Sequence, residues 1–102
     1  VSAQLSLALD RERSIDEAFA RFHAENPHVY AELKMLALRA RRRGASRIGI
    51  GMLFEVLRWR RTLRTEGEDF KLNNNYRSRY ARMLNHEPEL AGCFETRELR
   101  AA

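Results

Sequence analysis

One cysteine, two prolines and a single tryptophan in 102 residues already close off several protein classes. Cys93 has no partner for an internal disulfide, so a disulfide-stapled scaffold is excluded and a reducing cytoplasm is expected. It also lacks a CxxC neighbour, and His23, His28 and His86 are scattered along the chain. No His/Cys/Asp/Glu grouping has metal-ligand spacing, so neither a metal nor a cofactor is expected. Long apolar runs are missing too. The stretch from Val1 to Leu9 is broken by Ser2, Gln4 and Ser6 and has no basic leader, which argues against a membrane span and a signal peptide. No nucleophile has a base assigned to it, and no catalytic residue is expected.

Acidic residues are scarce in one region only. From Arg39 to Arg82 there are thirteen Lys/Arg against Glu55, Glu66, Glu68 and Asp69, a local +9. The remainder carries six basic and ten acidic residues, a local −4, and the two sum to the net +5. A segregated cationic stretch suits a polyanionic partner, because each neutralised phosphate releases counterions. A solvated basic face is the plainer reading, and nucleic acid is favoured over it.

At this length the chain supports one core. Val1 to Leu9 alternates apolar and polar residues, yet Ala, Leu, Ser and Gln are poor strand formers; a strand, an early helix and a loose arm all remain open. Ser14 and Glu17 form a capping box, followed by an apolar stripe at Ile15, Ala18, Phe19 and Phe22. The chain is therefore divided into an N-terminal arm (1–13), a helical domain (14–97) and a frayed tail (98–102). Asn26-Pro27 predicts a second helix to about Arg43, with Val29, Leu33, Leu36, Ala37 and Ala40 inward and Gly44 as terminator. Arg39, Arg41, Arg42 and Arg43 exceed what helix-end electrostatics require.

Arg47-Ile48-Gly49-Ile50-Gly51 reads as a short strand or the start of a third helix capped by Ser46. It lacks the GKS/T continuation of a phosphate loop. Ile50, Leu53, Phe54 and Leu57 fall on one helical face, and Arg58 and Arg61 lie a turn apart on another. Trp59 is expected in the core. Thr62 to Thr65 and Phe70 to Leu72 flank Glu66-Gly67-Glu68-Asp69 and suit a small hairpin. The three acids there read as a solvated turn, not a divalent-ion site. One of Asn73, Asn74 and Asn75 caps a fourth helix whose Tyr76, Tyr80, Met83 and Leu84 share a face. Pro88 to Gly92 makes a last short element, and Phe94 folds back as a plug.

The fold expected is mainly α: four to five helices around one core, with a short β-hairpin, in winged-helix or helix-turn-helix style. The function expected is non-catalytic binding of double-stranded DNA, as a regulator or accessory factor. The second and third helices would form the helix-turn-helix, with Arg58, Arg60 and Arg61 approaching the groove, where a guanidinium can pair with guanine. Arg47, Arg64, Lys71 and Arg77 would fix the backbone, and Asn74 would supply a spare amide. Eight phosphate contacts would give a log–log salt slope of about −7. A symmetric homodimer fits that geometry.

Several segments carry a resemblance. Phe22-His23, Asn26-Pro27-His28-Val29-Tyr30, Leu57-Arg58-Trp59, Phe70-Lys71-Leu72-Asn73-Asn74, Tyr80-Ala81-Arg82, Pro88-Glu89-Leu90-Ala91-Gly92 and Phe94-Glu95 with Arg97 together resemble a family of small bacteriophage and prophage proteins. The resemblance spans Ile15 to Arg97 and implies a setting, the infected bacterial cytoplasm, but no mechanism. Small phage proteins commonly bind DNA or disable a host protein. The rival expectation is therefore an inhibitor or adapter whose basic patch docks on a host protein, and a structural role in phage assembly comes third.

Overall fold

Helix α1 starts well before its capping box. The computed structural model describes residues 2–64 and 72–96, and in it α1 runs from Ala3 to Glu25. Ser2 caps it, its Oγ accepting from the Leu5 amide at 3.2 Å. The expected start at Ser14 is thus corrected: Ser14 and Glu17 are exposed residues of a continuing helix. Ala, Leu, Gln, Arg and Glu dominate residues 3–13 and favour the helix among the three readings of the N-terminal stretch. No side chain of α1 is fully buried. The helix docks through half-buried Ile15, Ala18, Phe19 and Phe22, the stripe that periodicity identified.

Asn26 breaks α1 from α2 (Pro27–Arg42). Its side chain does not cap α2; the amide nitrogen turns back and donates to the Phe22 carbonyl at 3.0 Å. Proline at the first helical position of α2 loses no hydrogen bond. Val29, Leu33 and Ala37 are buried, with Leu36 and Ala40 half-buried beside them. The helix ends as a Schellman turn. The Gly44 amide donates to the Arg41 carbonyl and the Ala45 amide to the Ala40 carbonyl, both at 3.0 Å, with Gly44 at φ +105°.

Seven residues, 43–49, then lead to α3 (Ile50–Arg64). A helix-turn-helix joins its helices through three or four residues, so this connection departs from that motif. Residues 47–49 are neither strand nor helix, and the Ile48 amide donates to the Cys93 carbonyl at 2.9 Å. Leu53, Phe54 and Leu57 bury against α2 and against α4 (Arg77–Asn85). Because α3 stays helical through Arg64, Thr62 to Arg64 cannot form the first arm of the expected hairpin. The turn at Glu66 to Asp69 lies outside the described residues, which contain no strand.

Asn73 caps a 3-10 turn over Asn74–Tyr76, its Oδ1 accepting from the Asn75 amide at 2.8 Å, and α4 follows directly. Tyr76, Tyr80 and Leu84 are buried and Met83 is half-buried, as the spacing predicts. A second 3-10 turn, Pro88–Leu90, and Gly92 at φ +75° reverse the chain. Phe94 then plugs the core, held by its amide and carbonyl to the Asn85 side chain at 3.0 and 2.9 Å. Phe19, Tyr30 and Phe54 pack their rings around the fully buried Tyr80.

Among the described residues, one charged side chain joins this apolar interior. Arg79, 8% exposed, donates to Asp16 at 2.8 Å and pairs with Glu12, both on α1. Burial works against its charge, but those two carboxylates outweigh it and raise the guanidinium pKa further. With no fully buried apolar residue of its own, α1 relies on this clamp to fix its long outer half.

Candidate nucleic-acid interface

The arginines expected to face a DNA groove mostly serve the fold. Arg58 projects from α3 toward the returning chain and donates to the Leu72 carbonyl at 2.7 Å, to Asn74 Oδ1 at 2.5 Å and to Glu55 at 2.5 Å. Its guanidinium also lies 5.8 Å from the centre of the Phe54 ring. Arg58 therefore staples residues 72–74 to α3, and Asn74 is occupied as its acceptor. Arg61 meets His28 Nε2 at the start of α2. Arg58 and Arg61 stand three residues apart on adjoining rows of α3, as their spacing predicts, but Arg58 reaches back to residues 72–74 and Arg61 reaches His28, so the two do not present a shared groove-facing pair. Arg60 is half-buried, and its Nη1 is buried without a hydrogen-bond partner. Lys71 lies outside the described residues.

Trp59 is a second correction. It is 63% exposed, not a core anchor. Leu53, Phe54 and Leu57 set the buried face of α3, and a residue two positions after Leu57 projects from the opposite side.

Two of the expected backbone contacts do converge. Arg47, in the connection before α3, and Arg77, at the start of α4, line one open cleft of about 680 Å³ with Gly49, Ile50, Gly51 and Ser78. The first turn of α3 opens into it. No acidic residue sits in that turn, and no acceptor among the described residues meets the amides of Ile50, Gly51 or Met52. Gly51 matters for its missing side chain: a Cβ there would lie 3.3 Å from Arg77 Nη1. Arg77 is steadied by a 3.3 Å bond from Nε to the Asn74 carbonyl.

Electrostatically the arrangement is lopsided. Two guanidinium groups stand at a helix end that itself carries about half a positive charge. Among the described residues Glu95 is the one acid lining the cleft, leaving a formal +1 from Arg47, Arg77 and Glu95 before the helix contribution. Free amides, a positive helix end and flanking arginines are what an oxyanion such as a phosphate needs. Exposed Arg41 and Arg43 lie at the same end of the bundle, where α2 stops and α3 begins, and Arg42 is taken by Glu89 at 2.9 Å.

The Arg47-to-Gly51 segment lacks a phosphate-loop continuation, yet it forms one wall of this cleft. Its signal is a pair of glycines ahead of a helix with an arginine in front. Ser78 and the structural role of Arg79 carried no sequence signal, since both lie in a helix whose register alone decides them. No group of three or more metal-ligating side chains occurs among the described residues, and no helix is long and apolar enough to cross a membrane. No family model, no curated protein and no solved structure matches the chain.

Proposed function

We propose that this protein binds double-stranded DNA without cleaving it, as a regulator or accessory factor of a phage or another mobile element. The contact is chiefly to phosphates. It is made by the end of the bundle where α2 stops and α3 begins, with Arg47 and Arg77 as the central pair and Arg41 and Arg43 beside them. One observation carries the reading: two arginines from separate elements converge on an uncapped helix start. A bound phosphate would accept from the free amides of α3 and relieve the repulsion between like charges. Arg58, Arg60 and Arg61 are not base readers in this reading, and a helix-turn-helix is not needed. With phosphate contacts dominant, binding tolerates many sequences and weakens sharply with salt.

The test is anisotropy of a labelled random-sequence duplex titrated with wild-type protein and with the Arg47→Ala/Arg77→Ala double variant. Circular dichroism confirms that both are folded. The double variant should lose at least about tenfold in affinity at low salt, from two lost charge-assisted phosphate contacts. Undiminished binding by the folded double variant would remove this face from consideration.

A further inference from the structure

The cleft between the starts of α3 and α4 offers more than an internal backbone phosphate can use. Its volume of about 680 Å³ falls in the range of small-molecule sites, whereas a phosphodiester on the convex edge of a duplex brings it one small tetrahedral group. Three segments wall it: residues 47–51, the first turn of α4, and the returning chain at Cys93 and Glu95. Ile48, Ile50 and Cys93 give part of the lining an apolar character. A bare phosphate leaves that part uncovered, and an attached nucleoside would cover it. A donor in the lining is also free. Ser78 Oγ accepts from Arg79 Nη1 at 3.2 Å, and Arg79 is itself fixed by Asp16 and Glu12 on α1. That contact uses a lone pair of the hydroxyl and leaves its proton, for which no acceptor occurs among the described residues. Charge points the same way. Arg47 and Arg77 less Glu95 give +1, and the α3 start adds about half a charge. A phosphomonoester carries about −1.5 to −2 at neutral pH on three acceptor oxygens; an internal diester carries a single charge on two.

Resting on the phosphate-binding reading above, we propose that this cleft takes a terminal phosphate, the phosphomonoester of a nucleotide, in preference to an internal phosphodiester. The free amides of α3 and the Ser78 hydroxyl would divide among its three oxygens, and Arg47 and Arg77 would balance its second charge. The nucleoside attached to it would lie against Ile48 and Ile50. Such a monoester comes either from the 5′ end of a DNA strand or from a free nucleotide. With a strand end in the cleft, Arg41 and Arg43 outside it would hold internal phosphates of the same duplex. A duplex without terminal phosphates keeps those contacts and binds more weakly.

Three internally labelled duplexes of one sequence test this with the full chain: one with 5′-phosphate ends, one with 5′-hydroxyl ends, and one closed into a dumbbell without ends. By anisotropy the phosphate-ended duplex should bind about tenfold more tightly than the other two, the scale of one charge-assisted hydrogen bond. Deoxyadenosine 5′-monophosphate should displace it, and the 3′,5′-cyclic monophosphate, a diester, should not. In Ser78→Ala, folded by circular dichroism, the ratio between phosphate-ended and hydroxyl-ended affinity should fall toward one, a change that a purely structural serine would not produce. Calorimetry with the 5′-monophosphate alone reads the free nucleotide as a source. Equal binding of all three duplexes would overturn the terminal-phosphate proposal and leave duplex binding standing. Binding of the monophosphate by a protein that ignores every duplex would support the proposed ligand and remove DNA as its source. Binding of neither nucleotide nor duplex would overturn both.

Discussion

Replacing Arg58 by alanine should destabilise the fold while leaving DNA contact intact, opposite to what its place in a run of arginines suggests. The Arg58 side chain is only 33% exposed. Its bond to the Leu72 carbonyl is charge-assisted, and such bonds contribute about 1.5–3 kcal/mol; removing the donor leaves that carbonyl without this partner. Its position over Phe54 adds about 0.5–1 kcal/mol. The pair with Glu55, whose side chain is 71% exposed, is worth about 0–1 kcal/mol and is discounted to the lower end. Together these give a loss of about 2–3 kcal/mol, since neighbouring interactions sum incompletely. Urea denaturation followed by helical circular dichroism reads it as a lower midpoint. Trp59 fluorescence would be a poor probe because the ring is already in water. Arg58→Lys sharpens the test: lysine keeps the charge that a phosphate would feel but lacks the planar fork that reaches Leu72, Asn74 and Glu55 together. Both variants should be destabilised, and duplex affinity under folded conditions should be unchanged. An unaltered midpoint with weakened DNA binding in Arg58→Ala, rescued by lysine, would refute the assignment.

Three further outcomes follow from other contacts. Arg79→Met should cost about 1–3 kcal/mol, at the low end for a broken ion-pair network because Glu12 and Asp16 can rehydrate. The loss should show first as faster amide exchange in the outer half of α1. Gly44→Ala should cost about 1–2 kcal/mol by denaturation, since φ is +105° with open space around the site, leaving backbone conformation as the cost. The third concerns pH. Glu87 is held below its usual pKa of 4.5 by the Tyr30 hydroxyl at 2.7 Å and by Lys34, and Glu89 is lowered by Arg42. A carboxylate with a lowered folded pKa stabilises fully above its unfolded pKa and loses that contribution as pH falls through the folded value. The denaturation midpoint should therefore drop as the solution is taken below about pH 4.5, and Tyr30→Phe should flatten part of that slope.

Much of the helical frame was legible because its signals are local. Pro27, Gly44 and Asn73 mark boundaries through backbone chemistry that tertiary context rarely overrides, and the stripe at Val29, Leu33 and Ala37 needs only helical periodicity. The start of α1 was misplaced because Ser14 and Glu17 fit a capping box equally well in mid-helix, where nothing frees an amide for them. Trp59 was misassigned by residue type against register: hydrophobicity argued inward, while its offset from Phe54 and Leu57 pointed outward. The arginines were harder still. Charge along a chain says how many cations there are, but not which find carbonyls, as Arg58 does, or carboxylates, as Arg79 does. Those partners lie 14 and 63–67 residues away. Arg47 and Arg77 are 30 positions apart by number, and only the packing of α4 on α3 brings them to one cleft.

The most direct test is the salt dependence of duplex binding, measured by anisotropy over a tenfold range of monovalent salt. Four phosphate contacts, one each from Arg41, Arg43, Arg47 and Arg77, predict a log–log slope of about −3.6. Removing Arg47 and Arg77 together should bring it to about −1.8. A wild-type slope near zero, or one that the folded double variant leaves unchanged, would contradict a phosphate-binding surface at the start of α3.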